Sequence, residues 1–186
     1  MRSFIAALLP LAAAAPAGLT ARNTTTCTSR SFSDFSWTVS DFTYNASYVF
    51  STPAHQVDGG FAGFTLTNPA IPETVSCSAY SLQLEDYFYG NINYDCVAAN
   101  GSSTKSSFAF SSPARSLAVN QTWTCSEDPT TPTTFTARGS IELPYACKED
   151  DYQNPDWQTG EIYSSRLVNC GPVTLPLKPQ DKNAVA

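Results

Sequence analysis

Hydrophobic and polar positions alternate with a period of two in short runs along most of the chain, and beyond the N-terminal segment no stripe follows the helical period. Phe35, Trp37 and Val39 alternate with Asp34, Ser36, Thr38 and Ser40. Phe42 and Tyr44 resume that pattern after a slip of one residue, which predicts a β-bulge. Ala62, Phe64 and Leu66 predict a second strand, Val75, Cys77 and Ala79 a third, and Phe108 with Phe110 a short fourth. Leu117, Val119, Gln121, Trp123 and Cys125 make the longest clean alternation. Phe135, Ala137, Ile141 and Leu143 form another, interrupted at Gly139, which reads as a further bulge. Near the end, Tyr163, Ser165 and Leu167 oppose Ile162, Arg166 and Val168, and the run from Val173 to Leu177 closes the pattern.

Turn chemistry fills the gaps: Asp58–Gly59–Gly60, Asn68–Pro69, Asn100–Gly101–Ser102, Asp128–Pro129 and Asn154–Pro155–Asp156. The stretch from Leu82 to Tyr89 is the one segment that reads as a helical turn. Most of the 13 prolines and 9 glycines lie outside the runs. Short strands so punctuated predict an all-β chain, a single antiparallel β-barrel or a barrel-like sandwich, held by disulfides. No repeat or linker divides it, so one domain over 18–186, with its core over about 27–177, is expected.

The segment before that domain addresses the chain. Arg2 precedes an apolar run from Phe4 to Ala15, broken at Pro10, with small residues offering cleavage after Ala15 or Ala17. The run is too short to span a bilayer and reads as a secretory signal over 1–17, favouring cleavage after Ala17. The expected location is extracellular. With 10 basic and 16 acidic residues the formal charge is −6, and no basic run is present, which argues against nucleic-acid or anionic-membrane partners.

Six cysteines, Cys27, Cys77, Cys96, Cys125, Cys147 and Cys170, lack the close spacings of a metal site, and His55 is the only histidine. Disulfides are the expected use, with no metal or cofactor. Four sequons, at Asn23, Asn45, Asn100 and Asn120, are candidates for N-glycosylation.

Candidate chemistry is sparse. His55 lies in a turn-rich stretch, and no Gly-x-Ser-x-Gly elbow accompanies it, so it reads as a surface histidine and no catalytic residue is assigned. Glu85–Asp86 and Glu149–Asp150–Asp151 are the acidic clusters. A glycoside hydrolase needs one carboxyl raised by apolar burial and a second at a set distance. The run Lys148–Asp151 reads instead as a solvated loop, as charge runs usually are. The aromatics Tyr87, Phe88 and Tyr89, with Tyr94 beyond Gly90, read either as barrel core with one residue covering an end or as the partner-binding candidates, because three consecutive aromatics on a strand cannot all face one side.

Several segments occur together in a telling order: Cys27; Phe35 to Phe42; Cys77–Ser78–Ala79; Leu84–Glu85–Asp86 leading to Tyr94–Asp95–Cys96; Leu143 to Cys147; and Val173 to Pro176. In that order the chain resembles the Alternaria major-allergen-like family of small secreted fungal β-barrel proteins, from about residue 27 to 177. The resemblance implies a non-enzymatic allergen-like effector or virulence factor acting on a plant host. It also implies a Cys77–Cys96 disulfide. In the family the cysteine matching Cys147 pairs about a dozen residues later, where this chain has Trp157 and no cysteine. Cys125 is therefore the expected partner of Cys147, and Cys170 that of Cys27, whose family counterpart cross-links two chains; the alternatives are a monomer or a disulfide-linked dimer. The function expected first is binding of a host extracellular protein. A small aromatic ligand or a glycan is the alternative, and an unrecognised hydrolase the remote one.

Overall fold

The computed structural model describes residues 26–98 and 102–186; the expected signal segment over 1–17 and the sequons at Asn23 and Asn100 lie outside them. A six-residue helix, α1 (Cys27–Phe32), opens the described chain, capped by Thr26, whose hydroxyl accepts from the Ser29 N–H. Its six residues are too few to leave a helical stripe in the sequence.

Eleven strands follow: β1 (Trp37–Thr52), β2 (His55–Thr67), β3 (Thr74–Ser81), β4 (Tyr94–Asp95), β5 (Val97–Ala98), β6 (Lys105–Ser111), β7 (Ser116–Cys125), β8 (Thr133–Glu142), β9 (Cys147–Gln153), β10 (Ser164–Leu177) and β11 (Asp181–Val185). They pair into a six-stranded sheet in the order β5-β3-β2-β1-β10-β9 and a five-stranded sheet in the order β11-β8-β7-β6-β4. The named pairs are antiparallel. The sheets do not join into a closed barrel, and the sandwich form of the expectation is the one adopted. The chain passes between sheets at Cys96, between β4 and β5, and the Cys77–Cys96 disulfide ties that corner to β3.

Alternation explains the core. Along β3 every second residue is buried, and along β7 the inward row is Leu117, Val119, Gln121, Trp123 and Cys125, as the sequence predicts. Rings from both sheets meet between them: Phe42 lies 5.1 Å from Phe110, and Phe64 lies 5.2 Å from Phe108, centroid to centroid. The predicted bulge is present, with the β1–β10 register shifting between Val39 and Phe42 and again before Tyr44. Asp41, at φ 55°, is the slipped residue, and its N–H donates to Thr174 Oγ1 at 3.0 Å.

Other expectations are corrected. Gly139 is no bulge: β7 and β8 keep one register through Val119–Gly139. The glycine is there because a Cβ would stand 2.6 Å from the Lys178 carbonyl and 2.7 Å from Leu177 Cδ2. Asp58–Gly59–Gly60 is no turn but lies within β2, where Tyr80 covers Gly59, and where a Cβ on Gly60 would come within 2.7 Å of Tyr87 Cβ. The acidic run Lys148–Asp151 belongs to β9, an edge strand all of whose residues are exposed. A strand exposed on both faces has no apolar row for the sequence to show. For the same reason β11, almost wholly exposed, leaves no pattern in the sequence beyond Leu177. The segment from Leu82 to Tyr89 is a non-helical turn, with Glu85 and Tyr87 at φ 73° and 61°.

Two expected disulfides are also corrected. The bonds are Cys27–Cys125, Cys77–Cys96 and Cys147–Cys170, with no free cysteine. Cys147 and Cys170 are register partners across β9 and β10, with Cα atoms 4.0 Å apart. Cys125 ends β7, in the other sheet, beside α1, which places it 5.5 Å from Cys27, Cα to Cα. Cys27 is therefore bonded within its own chain.

Candidate functional site

The inward face of the six-stranded sheet outruns its cover. Along β1, Phe42, Tyr44 and Ala46 are buried, whereas Tyr48 and Phe50, next on the same face, are only half-buried. Beside them on β10, Val168 is buried and Arg166, paired in register with Tyr48, is half-exposed. This overhang forms one wall of a groove of about 590 Å³. The other wall comes from the β6–β7 turn and from the segment between β8 and β9, which contribute Ser112, Pro113, Arg115 and Tyr145, while Asp86 reaches in from the Leu82–Tyr89 turn.

The three tyrosines of the walls are each held by a backbone carbonyl. Tyr48 Oη donates to the Glu85 carbonyl at 2.8 Å, Tyr44 Oη to the Asp86 carbonyl at 3.4 Å, and Tyr145 Oη to the Ser112 carbonyl at 3.3 Å. Burial pushes the Tyr44 phenol up to about 12 and raises those of Tyr48 and Tyr145, against which Arg166 and Arg115 respectively pull back. All three phenols are therefore neutral at pH 7. Arg115 lies over the Tyr145 ring at 4.4 Å, and its Nε is buried without a hydrogen-bond partner. Arg166 lies over the Tyr48 ring at 5.6 Å and binds Glu149 of β9 through Nε at 2.9 Å and a terminal nitrogen at 2.8 Å. That hydrogen bond raises the guanidinium pKa further.

Three of the four non-glycine residues with positive φ among the described residues, Glu85, Tyr87 and Arg115, sit at or beside this groove. Backbone strain of this kind costs about 1–3 kcal/mol per residue and gathers at functional sites. The groove can hold a ligand through aromatic faces, guanidinium donors and carboxylate acceptors.

Tyr87, Phe88, Tyr89 and Tyr94 do not form an exposed aromatic platform. Tyr87 and Phe88 are both in the core, at 0% and 1% exposure, because the positive φ at Tyr87 lets successive residues turn inward and Gly60 makes room. Tyr94 is half-buried, 5.5 Å from Phe108, and Tyr89 is exposed but closes its own turn, donating to the Leu84 carbonyl at 2.6 Å. His55 sits at the β1–β2 hairpin, exposed, with Nδ1 2.8 Å from Ser51 Oγ. Among the described residues one group, Cys27, Cys125 and Glu127, gathers three ligand-type atoms, but both sulfurs are in a disulfide and Thr28 holds the carboxylate. Asn45 and Asn120 both face outward, from β1 and β7.

The groove residues come from five separate stretches, and no pattern in the sequence joins them. One signal was present: Arg166 shares the inward face of its strand with Val168, and a charge on a core-facing row calls for an explanation.

The outward face of the same sheet carries exposed apolar residues in adjoining rows. Tyr80 (62% exposed) stands across from Phe61 (42%), which stands across from Asn45. Val57, Leu167 and Tyr152 lie on the same face and are exposed.

Compared with protein families, residues 39–170 match the family described as Alternaria alternata allergen 1. Comparison with curated proteins and with solved structures finds no match.

Proposed function

From the chain's membership of the Alternaria alternata allergen 1 family, we propose that it is a secreted, non-enzymatic, allergen-like effector that works by binding an extracellular protein of a plant host. The observation that supports this reading is the outward face of the six-stranded sheet, where Tyr80, Phe61, Val57, Leu167 and Tyr152 are exposed apolar side chains in adjoining rows of a sheet whose other face already supplies the core. Exposed apolar patches of this kind mark interaction sites. Three disulfides suit the oxidising exterior. The test is capture of plant apoplastic proteins on the immobilised protein and on a variant carrying Phe61→Ser and Tyr80→Ser. A saturable partner retained by the parent and lost by the variant is expected; recovery of no saturable partner removes the reading.

A second reading, a module that holds a small aromatic ligand or a glycan, is favoured by the groove, where the buried Arg115 Nε lacks a partner beside three tyrosines.

A further inference from the structure

The groove is one of three adjoining hollows. Their volumes are about 590, 310 and 460 Å³, and Arg166 lines all three. Tyr48 lines the first and third, and Phe50 the second and third. Together they make an extended concave platform along the overhanging inward ends of β1 and β10, continuing past the edge of the core.

Its chemistry is mixed in a particular way. Tyr48, Phe50 and the exposed Leu84 supply apolar surface. Arg115 and Arg166 supply donors; a guanidinium has five N–H groups, and Glu149 engages only two nitrogens of Arg166. Asp58, Glu85, Asp86 and Asp151 supply acceptors. An anionic ligand would meet these four carboxylates and a chain of formal charge −6. A cationic one would meet Arg166 at the point common to all three hollows. An uncharged chain of hydroxyls suits both signs, since each hydroxyl donates to a carboxylate or accepts from an arginine. The C–H faces of sugar rings in turn suit aromatic and aliphatic side chains.

We propose that this platform binds an uncharged oligosaccharide, laid along β1 and β10 with Arg166 at its centre. The proposal rests on the second reading above and is independent of the host-protein one.

The test is a titration of the isotope-labelled protein, followed by amide chemical shifts, with short neutral β-1,4-glucans, β-1,3-glucans and β-1,4-xylans. Oligogalacturonate and a soluble phenolic are the comparison arms. A neutral oligosaccharide should shift amides at Tyr48, Phe50 and Arg166 saturably. Arg166→Gln and, separately, Phe50→Ala should each weaken binding about tenfold while keeping the parent's dispersed spectrum. Tyr80→Ser, on the opposite face, should bind as the parent does. The proposal is overturned if no neutral oligosaccharide shifts the spectrum, if the shifts map elsewhere, or if only oligogalacturonate binds. Binding of the phenolic alone at these residues also overturns it, yet leaves the ligand-module reading standing.

Discussion

Trp37 Nε1 donates a hydrogen bond of 2.8 Å to Gln121 Oε1, joining the first strand of one sheet to the central strand of the other through the interior. The same oxygen accepts from Asn68 Nδ2 at 2.8 Å, and Gln121 Nε2 donates to Ser106 Oγ at 3.1 Å. All four residues are buried. Such a network specifies how the sheets meet, and breaking it leaves buried donors without acceptors. Gln121→Leu should therefore destabilise the protein by about 1–3 kcal/mol in denaturant unfolding, although it replaces a polar core side chain with an apolar one. Unchanged stability would mean that the network contributes nothing.

The disulfides differ in reach. Cys147–Cys170 spans 23 residues and Cys27–Cys125 spans 98. On chain entropy alone, replacing both cysteines of a pair by serine should cost about 3 kcal/mol for the shorter loop and about 5 kcal/mol for the longer. Peptide mapping of unreduced protein should recover these two pairs and Cys77–Cys96, and a non-reducing gel should show a monomer. A dimer band abolished by reductant would contradict the internal Cys27 bond.

High pH should unfold the protein in a definite window. The Tyr44 phenol is raised from 10.0 to about 12, chiefly by burial, and that of Tyr87 is raised for the same reason. The unfolded chain loses these protons first, so stability is complete below pH 10 and falls as pH rises from there through about 12. Melting temperature and tyrosinate absorbance, followed together, should fall and rise over the same interval. Tyrosinate appearing in full before unfolding begins would count against buried phenols.

Asn45 and Asn120 stand on the outward faces of opposite sheets, so export from a fungal host should leave both glycosylated. Mass spectrometry after enzymatic glycan removal reads occupancy at each asparagine. Because Asn45 lies across from Phe61, Asn45→Gln should increase capture of a protein partner that docks on that face. Reduced capture would place the docking surface elsewhere.

Strands with one buried face were legible in the sequence. The run from Leu117 to Cys125 became β7 almost residue for residue, and the slip before Phe42 became the bulge at Asp41. Strands without a buried row were not: β9 and β11 carry charges on exposed edges. Within β2, Gly59–Gly60 has the composition of a turn, whereas Tyr80 and Tyr87 occupy the space of the missing side chains. The groove was hidden more deeply. Its arginines come from the β6–β7 turn and from β10, and nothing near either one in the sequence marks them as neighbours.

What the sequence determined by itself is what a residue's nearest neighbours decide: the alternation that makes strands, the inward place of Gln121 among apolar residues, and six cysteines committed to disulfides. The order of segments also carried the family. The tertiary structure alone decided which cysteines meet, how eleven strands divide into two sheets, and where one sheet outruns the other. Alternation tells which face of a strand is buried, but it is silent on the strand beside it. Pairing depends on register between segments far apart in the chain, so Cys147 meets Cys170, and Arg166 meets Tyr48, only once β10 has docked between β1 and β9.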